Sequence, residues 1–401
     1  MSDLPFVHHD GSALHVPDQE PELGADVQVW LRTSPDVTSV QVRSTPDGEP
    51  RFSAASVDRR TETEVWWRAT VPQRNPLTRY RFLVSRGGQP YRWYTASGLH
   101  DHEVPDDTDF RLVSYPAPAP WTADATIYQI FPDRYARSAA AASRPAPDWA
   151  VPCAWDDPVT DRMPNVSRQF YGGDLDGIAE HLDHIQALGA DTVYLTPIFP
   201  GHSNHRYDAS TFDRVDPLLG GDAALRRLAD ALHAKGMRLL GDVTTNHTGV
   251  GHEWFTDPSR RDFYYFSDGG YETWCGVPSL PKLNWNSAAL RAAFVTDPDS
   301  VVKRWLRGPD GAPLLDGWRV DVANMTGRRG ADDLAHEVSR LVARAVREVS
   351  PGAMLVAEHN YSAGSDLDLD GWQGAMNYAG FLRPVWTWLR GDDVRLTHFM
   401  G

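Results

Sequence analysis

Cysteine is scarce in this sequence. Among 401 residues, only Cys153 and Cys275 carry a thiol, which excludes the small secreted proteins that depend on several disulfides. The two could pair, but two thiols in a chain of this size are more typical of a reduced cytosolic protein. The first residues lack a basic segment followed by an apolar one, so no signal peptide is predicted. We therefore expect a cytoplasmic protein.

Long hydrophobic runs and an excess of positive charge are also missing. No stretch approaches the roughly 20 apolar residues of a membrane-spanning helix, so no membrane partner is expected. Asp and Glu number 54 against 39 Lys and Arg, which gives a formal net charge of −15. Nucleic acids and anionic membranes are bound through basic surfaces, so this balance argues against both as partners. It favours a neutral or cationic substrate.

The first part of the chain consists of short segments rich in β-branched and aromatic residues, separated by turn residues. They predict strands at residues 27–33, 38–44, 64–71, 79–85 and 90–95. Strands at this spacing are typical of an antiparallel β-sandwich. The proline-rich segment 115–121 reads as a linker. We therefore predict an N-terminal β-sandwich domain over residues 1–118.

A different pattern occupies residues 119–401. Apolar strands without alternation, which are typical of a sheet covered on both faces, are predicted at 126–131, 191–199, 238–243, 317–323, 353–358 and 374–378. Helical patterns lie between and after them, at 176–188, 222–235, 331–349 and 381–389. Strand and helix in alternation predict a parallel βα fold. The insert 248–297 is far longer than ordinary βα loops of about 2–6 residues, so we expect a functional loop or small subdomain there.

Polar side chains interrupt three of the predicted strand ends. Arg319 and Asp321 are two residues apart, so their side chains share one face of a strand. A cation beside a carboxylate lowers the pKa of that carboxyl, which would keep Asp321 ionised as a nucleophile. Glu358 could supply the second carboxyl group that glycoside hydrolysis requires. Each feature also has an ordinary structural reading, as an ion pair or a helix cap, but together at the active face of a barrel they favour catalysis.

Seven segments then resemble, in order, the α-amylase family of glycoside hydrolases. They are 128–135, 173–178, 203–208, 242–247, 280–284, 317–324 and Glu358. They are most similar to the neopullulanase, maltogenic amylase and cyclodextrinase branch, which also begins with a starch-binding-like β-sandwich. The resemblance implies an α/β fold, a (β/α)8-type TIM barrel. It implies hydrolysis of α-1,4 and possibly α-1,6 glucosidic bonds in maltodextrins, cyclodextrins or pullulan, through a covalent glycosyl-enzyme intermediate.

The resemblance also implies roles for individual residues. Asp321 would be the nucleophile, Glu358 the general acid/base, and Arg319 the cation that holds the nucleophile ionised. Tyr207 would stack on the sugar whose bond is cut, since its flat ring suits the apolar face of glucose.

Further substrate contacts are expected around this centre. Asp242 and His247 would contact the same sugar through its hydroxyl groups, and Asn324 would lie among the substrate-binding residues. Two tryptophans of the long insert, Trp274 and Trp285, are as suited to substrate stacking as to packing, and we include Trp285 among the predicted contacts.

A metal is expected at no more than one place. Asn246 lies where many relatives bind a structural Ca²⁺, while the loop after Arg134 lacks the usual oxygen ligands. We expect Ca²⁺ only at Asn246, and no other cofactor. His8 and His9 near the N-terminus predict a disordered surface pair rather than a metal site. A homodimer is implied by the resemblance alone.

One family feature is not found. Relatives have a third catalytic Asp on the seventh strand, but beyond Glu358 the sequence offers only a sixth strand and helix, a turn at Asp392 and Asp393, and His398 with no Asp after it. We expect an incomplete barrel with about six βα units, poorly soluble or inactive as 401 residues because a barrel must close on itself. Two alternatives stay open. One is a transglycosylase or isomerase on the same fold, and the other is an inactive glucan-binding fragment.

Overall fold

The computed structural model describes residues 6–308, 310–367 and 370–390. The chain separates into two compact units, Met1–Ala117 and Pro118–Gly401. The predicted turn at Asp392 and Asp393 and the residue His398 lie outside the described residues. Among the described helices, none has the length and apolar character needed to cross a membrane. Cys153 and Cys275 are both free thiols.

The first unit consists of two antiparallel sheets. Its strands are β1 Val7–His8, β2 Asp26–Thr33, β3 Ser39–Ser44, β4 Arg51–Ala54, β5 Ser56–Arg60, β6 Val65–Pro72, β7 Leu77–Ser85, β8 Arg92–Thr95, β9 Gly98–His100 and β10 Phe110–Val113. One sheet has the order β1-β2-β6-β5, and the other has the order β4-β3-β7-β8-β9 with β10 paired to β7. Alternate residues such as Val29 and Leu31 are fully buried, which is why the alternating segments form strands.

Three strands of this unit carry little signal in the sequence. All residues of β5 and most of β4 are exposed, so neither shows the alternation that marks a half-buried strand. β10 has only four residues.

His9 was predicted to belong to a disordered surface pair, and this prediction is wrong. His9 is only 3% exposed, and its two ring nitrogens bond to Trp30 and Tyr80.

A six-stranded parallel sheet forms the centre of the second unit. Its strands, in order across the sheet, are β11 Ile127–Ile130, β14 Thr192–Leu195, β15 Arg238–Thr244, β18 Gly317–Asp321, β21 Met354–His359 and β22 Gly374–Asn377. The remaining strands are two-residue pairs, β12 Val151–Pro152 with β13 Gln169–Phe170, β16 Phe266–Ser267 with β17 Gly270–Tyr271, and β19 Arg328–Arg329 with β20 Asp332–Asp333. Each central strand pairs with the next one along the chain, as in a barrel opened along one seam. Every residue of β14 and β18 is buried, which explains their continuous apolar character.

Helices follow the central strands. The α-helices are α1 Pro132–Tyr135, α2 Leu175–Ala179, α3 Leu182–Ala187, α4 Gly221–Ala234, α5 Glu253–Thr256, α6 Ala288–Arg291, α7 Val301–Arg304, α8 Ala335–Val349, α9 Gly364–Leu367 and α10 Arg383–Arg390. Short 3₁₀ helices cover Asp106–Thr108, Pro120–Ala123, Ala141–Ser143, Asn165–Ser167, Pro217–Leu219, Pro258–Phe263, Trp274–Gly276 and Ala323–Met325, and π turns cover Ala292–Thr296 and Tyr378–Leu382. The predicted helix 176–188 is broken at His181, whose φ of −122° and ψ of 21° leave the helical region. The insert 248–297 is not one loop, since α5 and α6 lie within it.

Candidate active site

Strand register brings the predicted residues to one edge of the parallel sheet. Asp242 on β15 lies opposite Arg319 on β18, and Thr244 lies opposite Asp321, the last residue of β18. Val320 of β18 pairs with Ala357 of β21, so Glu358 follows at the same level. Because parallel strands end at one edge, three carboxyl groups carried by three strands meet there.

Arg319 joins the three carboxylates. Its Nη1 donates to Asp321 Oδ1 at 2.7 Å and to Asp242 Oδ2 at 3.0 Å, and its Nη2 lies 2.9 Å from Glu358 Oε1. The planar guanidinium can do this because its donors point in several fixed directions. Only 5% of Arg319 is exposed, so these contacts are shielded from water. The three-strand cluster predicted from sequence is therefore held by one buried cation.

Asp242 is buried beneath two tyrosine hydroxyl groups and Arg319. Its carboxylate accepts hydrogen bonds from the hydroxyl groups of Tyr194 and Tyr207, the latter at 3.0 Å, as well as from Arg319. Its exposed fraction is 0%. Asp242 is also not among the residues that line the cavity described below, so its predicted contact with the sugar stays a prediction. Asp242 orients Tyr207, which is half-buried, together with Arg319.

Burial is the largest influence on the pKa of both aspartates. Burial raises the pKa of Asp242 to about 6, against the opposing effect of Arg319. Burial, and next the charge of Asp242, raise the pKa of Asp321 well above its usual range, although Arg319 acts in the opposite direction. Arg319 therefore lowers the pKa of Asp321 as predicted, but burial and the charge of Asp242 outweigh its effect. Burial lowers the pKa of Arg319, but the carboxylates of Asp242 and Asp321 raise it, and the net pKa is above the usual value.

Val322 follows Asp321 in an uncommon backbone conformation. Its φ of 49° and ψ of 37° place a β-branched residue in the left-handed region, which is sterically unfavourable. This turn ends β18 two residues earlier than predicted. The backbone amide of Val322 then donates to Glu358 Oε2 at 2.9 Å. Strain of this kind is often found where a functional group must be aimed.

A cavity of about 970 Å³ lies over the cluster. Arg319, Asp321 and Glu358 line it, and so do Tyr207 and His247 from the predicted substrate contacts. Its other lining residues come from the loop segments of the same unit: Met163, Val166, Ser167, His202, Ser203, His205, Asp208, Gly249, Val250, Gly251, Trp274, Val277, Ser279, Leu280 and Val322. Its size suits a small oligosaccharide segment.

Two polar atoms at this cavity, His247 Nε2 and Trp274 Nε1, are buried without a well-aligned hydrogen bond among the described residues, although the His247 ring also interacts with the backbone of Tyr207. The two rings lie 5.7 Å apart and tilted by 31°. Burial lowers the pKa of His247 to about 3, so its imidazole is neutral. Unpaired buried nitrogens are costly unless a ligand pairs with them. Both are therefore suited to meet hydroxyl groups.

The other two predicted substrate contacts lie elsewhere. Trp285 is 0% exposed and its indole Nε1 donates to Thr245 O at 2.9 Å, so it is a core residue and its predicted stacking role is wrong. Asn324 lines a neighbouring cavity of about 440 Å³ rather than the main one. Trp274 lines both cavities. The sequence could not show which of Trp274 and Trp285 is a core residue, because the insert has no regular spacing of apolar residues.

The predicted Ca²⁺ position holds a lysine instead. The ammonium of Lys282 donates to Asn246 Oδ1 and, at 3.0 Å, to the backbone oxygen of Met325. Calcium needs six to eight oxygen ligands, and a second cation at this point would meet a positive charge. The residues around Asn246 therefore do not fit Ca²⁺, and the prediction of a metal there is wrong.

Comparisons with known proteins bear on the family and the fold of this chain. Residues 129–365 match the alpha amylase catalytic domain. A cyclomaltodextrinase of Bacillus sp is 30% identical over 78% of this chain and 55% of its own length, and that of Geobacillus thermopakistaniensis (strain MAS1) is 32% identical over 78% and 52%. A solved cyclomaltodextrinase structure superposes with a TM-score of 0.62 at 27% identity, covering 93% of this chain and 63% of that one.

These matches settle the fold and the family. The chain spans about half the length of the curated relatives it matches. The solved structure and the six-stranded parallel sheet confirm an incomplete barrel that follows an antiparallel N-terminal region. The catalytic-domain match runs from the first strand of the barrel sheet to the helix after Glu358, more than half of the chain. The chain belongs to the α-amylase family of glycoside hydrolases.

Proposed function

We propose that the protein carrying this chain hydrolyses α-1,4, and also α-1,6, glucosidic bonds in maltodextrins, cyclodextrins or pullulan, with retention of configuration. The observation that carries this proposal is the single guanidinium of Arg319 bonded to both Asp321 and Glu358 on the wall of one cavity. Retaining hydrolysis requires two carboxyl groups close together, one on each side of the bond to be cut. The names of the relatives, which include a maltogenic α-amylase of Bacillus acidopullulyticus, support the substrate class.

Each group then has a chemical role. Asp321 attacks the anomeric carbon while Glu358 gives a proton to the leaving oxygen, and a covalent glycosyl-enzyme forms. Glu358 next takes a proton from water, whose oxygen displaces Asp321. Arg319 offsets the charge of the carboxylates, and Tyr207 presents its ring to the sugar. No step of this reaction requires a cofactor, so we propose none.

The proposal also covers the contacts with substrate and the roles of the two domains. Trp274 and His247 pair with hydroxyl groups of the glucan, and Asn324 serves the neighbouring cavity. We also propose that residues 1–118 and 119–401 act as the β-sandwich and catalytic domains. A homodimer and a cytoplasmic location stay predictions.

The test is a digest of maltotriose and pullulan by the protein from its natural source, with Asp321→Asn and Glu358→Gln variants. We expect glucose or maltose from the unaltered protein and losses in kcat of at least about 10³-fold in both variants. Glu337→Gln is the control, because Glu337 is exposed and paired with Arg291. Products longer than the substrate would indicate transglycosylation, and unaltered protein that binds glucan without cleaving it would refute hydrolysis.

A further inference from the structure

Three potential metal ligands converge in the first unit, whereas the carboxylate cluster belongs to the second. They are His8 on β1, Asp10 after it and His15 before β2. His8 Nδ1 lies 3.1 Å from His15 Nε2, and Asp10 Oδ1 lies 4.0 Å from the same nitrogen. One ligand atom from each residue lies within 4.8 Å of the others. Nothing in the proposed glucan chemistry uses these residues.

The orientation of His15 is fixed by the backbone. Its Nδ1 lies 2.9 Å from the carbonyl oxygen of Trp30, and a carbonyl can only accept, so Nδ1 carries the proton. The lone pair of the neutral ring is therefore on Nε2, the nitrogen that faces His8 and Asp10. His15 is 0% exposed, and its ring stacks on Trp66 at 5.3 Å. An imidazole whose other N–H is held by a backbone carbonyl is the usual arrangement of a metal-binding histidine.

His9 shows the contrasting case in the same segment. Its Nδ1 lies 2.7 Å from the same Trp30 carbonyl oxygen, but its Nε2 is occupied by the hydroxyl of Tyr80, also at 2.7 Å. Both nitrogens of His9 therefore have partners inside the protein, and it has no lone pair to give to a metal. Of the two rings anchored on Trp30, only His15 directs its second nitrogen at other ligand groups.

Asp10 supplies the charge. Its Oδ1 accepts from the backbone amide of Ser12 at 2.9 Å and from the Ser12 hydroxyl at 2.6 Å. These bonds hold the side chain beside His15, and Oδ2 has no hydrogen bond within the part of the chain that the structure describes. Half of the side chain is exposed, which gives an ion and its water ligands a path from solvent.

We propose that His8, Asp10 and His15 bind one divalent transition-metal ion, with Zn²⁺ the best match. Two imidazoles and a carboxylate are ligands that Zn²⁺ accepts, with water in the fourth position. Two nitrogens bound to one tetrahedral Zn²⁺ lie roughly 3.3 Å apart, close to the separation of His8 Nδ1 and His15 Nε2. The alternative is a direct hydrogen bond from His8 Nδ1–H to His15 Nε2, which excludes the ion.

A bound ion would link two neighbouring segments of the first unit and stabilise the folded state. β1 has only two residues and pairs with the end of β2 at the edge of its sheet. An ion that joins His8 to Asp10 and His15 ties this short strand to the loop that follows it. It stabilises the folded state by mass action, because the unfolded chain does not hold the three ligands together.

The test uses the full chain, freed of metal and titrated with Zn²⁺ against a chromophoric chelator. We expect one saturable site whose affinity falls at least tenfold in His8→Gln and in Asp10→Asn. Asp10→Asn changes an exposed side chain, so it keeps the test valid if the other variant folds poorly. His102→Gln is the control, because this histidine is in the same unit and its side chain is 71% exposed.

Co²⁺ gives a second readout. We expect visible absorption bands of a tetrahedral site in the unaltered chain and in His102→Gln, and their loss in the other two variants. Equal Zn²⁺ affinity in all four proteins, or no saturable binding by the unaltered chain, would overturn the proposal. Neither result would bear on the glucan chemistry of the second unit.

Discussion

The backbone amide of Val322 donates a 2.9 Å hydrogen bond to Glu358 Oε2, and Val322 itself adopts a left-handed conformation. The residue directly after the proposed nucleophile thus orients the proposed acid/base. Glu358 is held from two sides, since Arg319 Nη2 contacts its other oxygen at 2.9 Å. The relative position of Asp321 and Glu358 therefore depends on this turn and on one guanidinium.

Substitution of Val322 tests the strain directly. A left-handed conformation costs a non-glycine residue about 1–2 kcal/mol, whereas glycine adopts it freely. We expect Val322→Gly to be at least as stable as Val322→Ala in urea unfolding. This reverses the usual order, in which glycine is less stable than alanine by roughly 0.5–1 kcal/mol. The usual order at this position would show that the turn is not strained.

Removal of the central cation should be far more harmful than removal of a surface one. In Arg319→Met the buried carboxylates of Asp242 and Asp321 lose their shared counter-charge, and we expect a loss of about 3–5 kcal/mol in the free energy of unfolding. In Arg329→Met an exposed pair with Glu272 is lost, and we expect little change in the free energy of unfolding because solvent screens such pairs. Equal losses in the two variants would mean that Arg319 does not compensate buried charge.

The two tryptophans of the insert should separate binding from stability. Trp285→Ala empties a fully buried site, and we expect a loss of about 3–5 kcal/mol in the free energy of unfolding. Trp274→Ala removes a cavity wall, and we expect the KM for maltotriose to rise roughly three- to tenfold with little change in stability. Urea unfolding and steady-state kinetics of both variants check this. The opposite pattern would restore Trp285 as the substrate contact.

Acid stability should depend on His252. This residue is 0% exposed, and burial lowers its pKa to about 3. The unfolded chain takes up a proton below its ordinary pKa of 6.5, while the folded chain does not do so until about pH 3, so stability is lost as the pH falls between these values. Asn at this position can still accept from Trp254 N–H, as His252 Nδ1 does at 3.0 Å.

We therefore expect the stability advantage of the unaltered chain over His252→Asn to shrink by at least about 1 kcal/mol between pH 7 and pH 4. Urea unfolding at each pH measures it. His184→Asn is the control, because His184 is exposed on α3. A difference between the unaltered chain and His252→Asn that stays constant with pH would mean that His252 is not buried in its neutral form.

Much of this architecture can be predicted from the sequence because strand burial has a direct pattern. β18 is apolar except for Arg319 and Asp321, and those exceptions marked the site. The position of Asp242 could not be predicted, because Tyr207 and Tyr194, which cover it, come from other segments. The partner of Asn246 is Lys282, 36 residues away along the chain, and no local pattern links them. The edge strands β4 and β5 bury almost none of their side chains, so their sequences show no alternation of apolar and polar residues.

The different roles that we assign to His9 and His15 could not be predicted from the sequence either. His9 and His15 are alike in sequence and both bond the carbonyl of Trp30, and it is the hydroxyl of Tyr80 on His9 Nε2 that distinguishes them, since His15 Nε2 faces His8 and Asp10 instead. Such a distinction depends on contacts made after folding.

The most direct test of the proposed mechanism is a trapping experiment. The protein from its natural source is incubated with 5-fluoro-α-glucosyl fluoride, which forms a slowly hydrolysed ester with the nucleophile of a retaining enzyme, and its peptides are analysed by mass spectrometry. We predict one glycosyl adduct on the peptide that contains Asp321, and none in Asp321→Asn. An adduct on another carboxylate, or cleavage of maltotriose with no adduct and with β-configured product, would contradict the account.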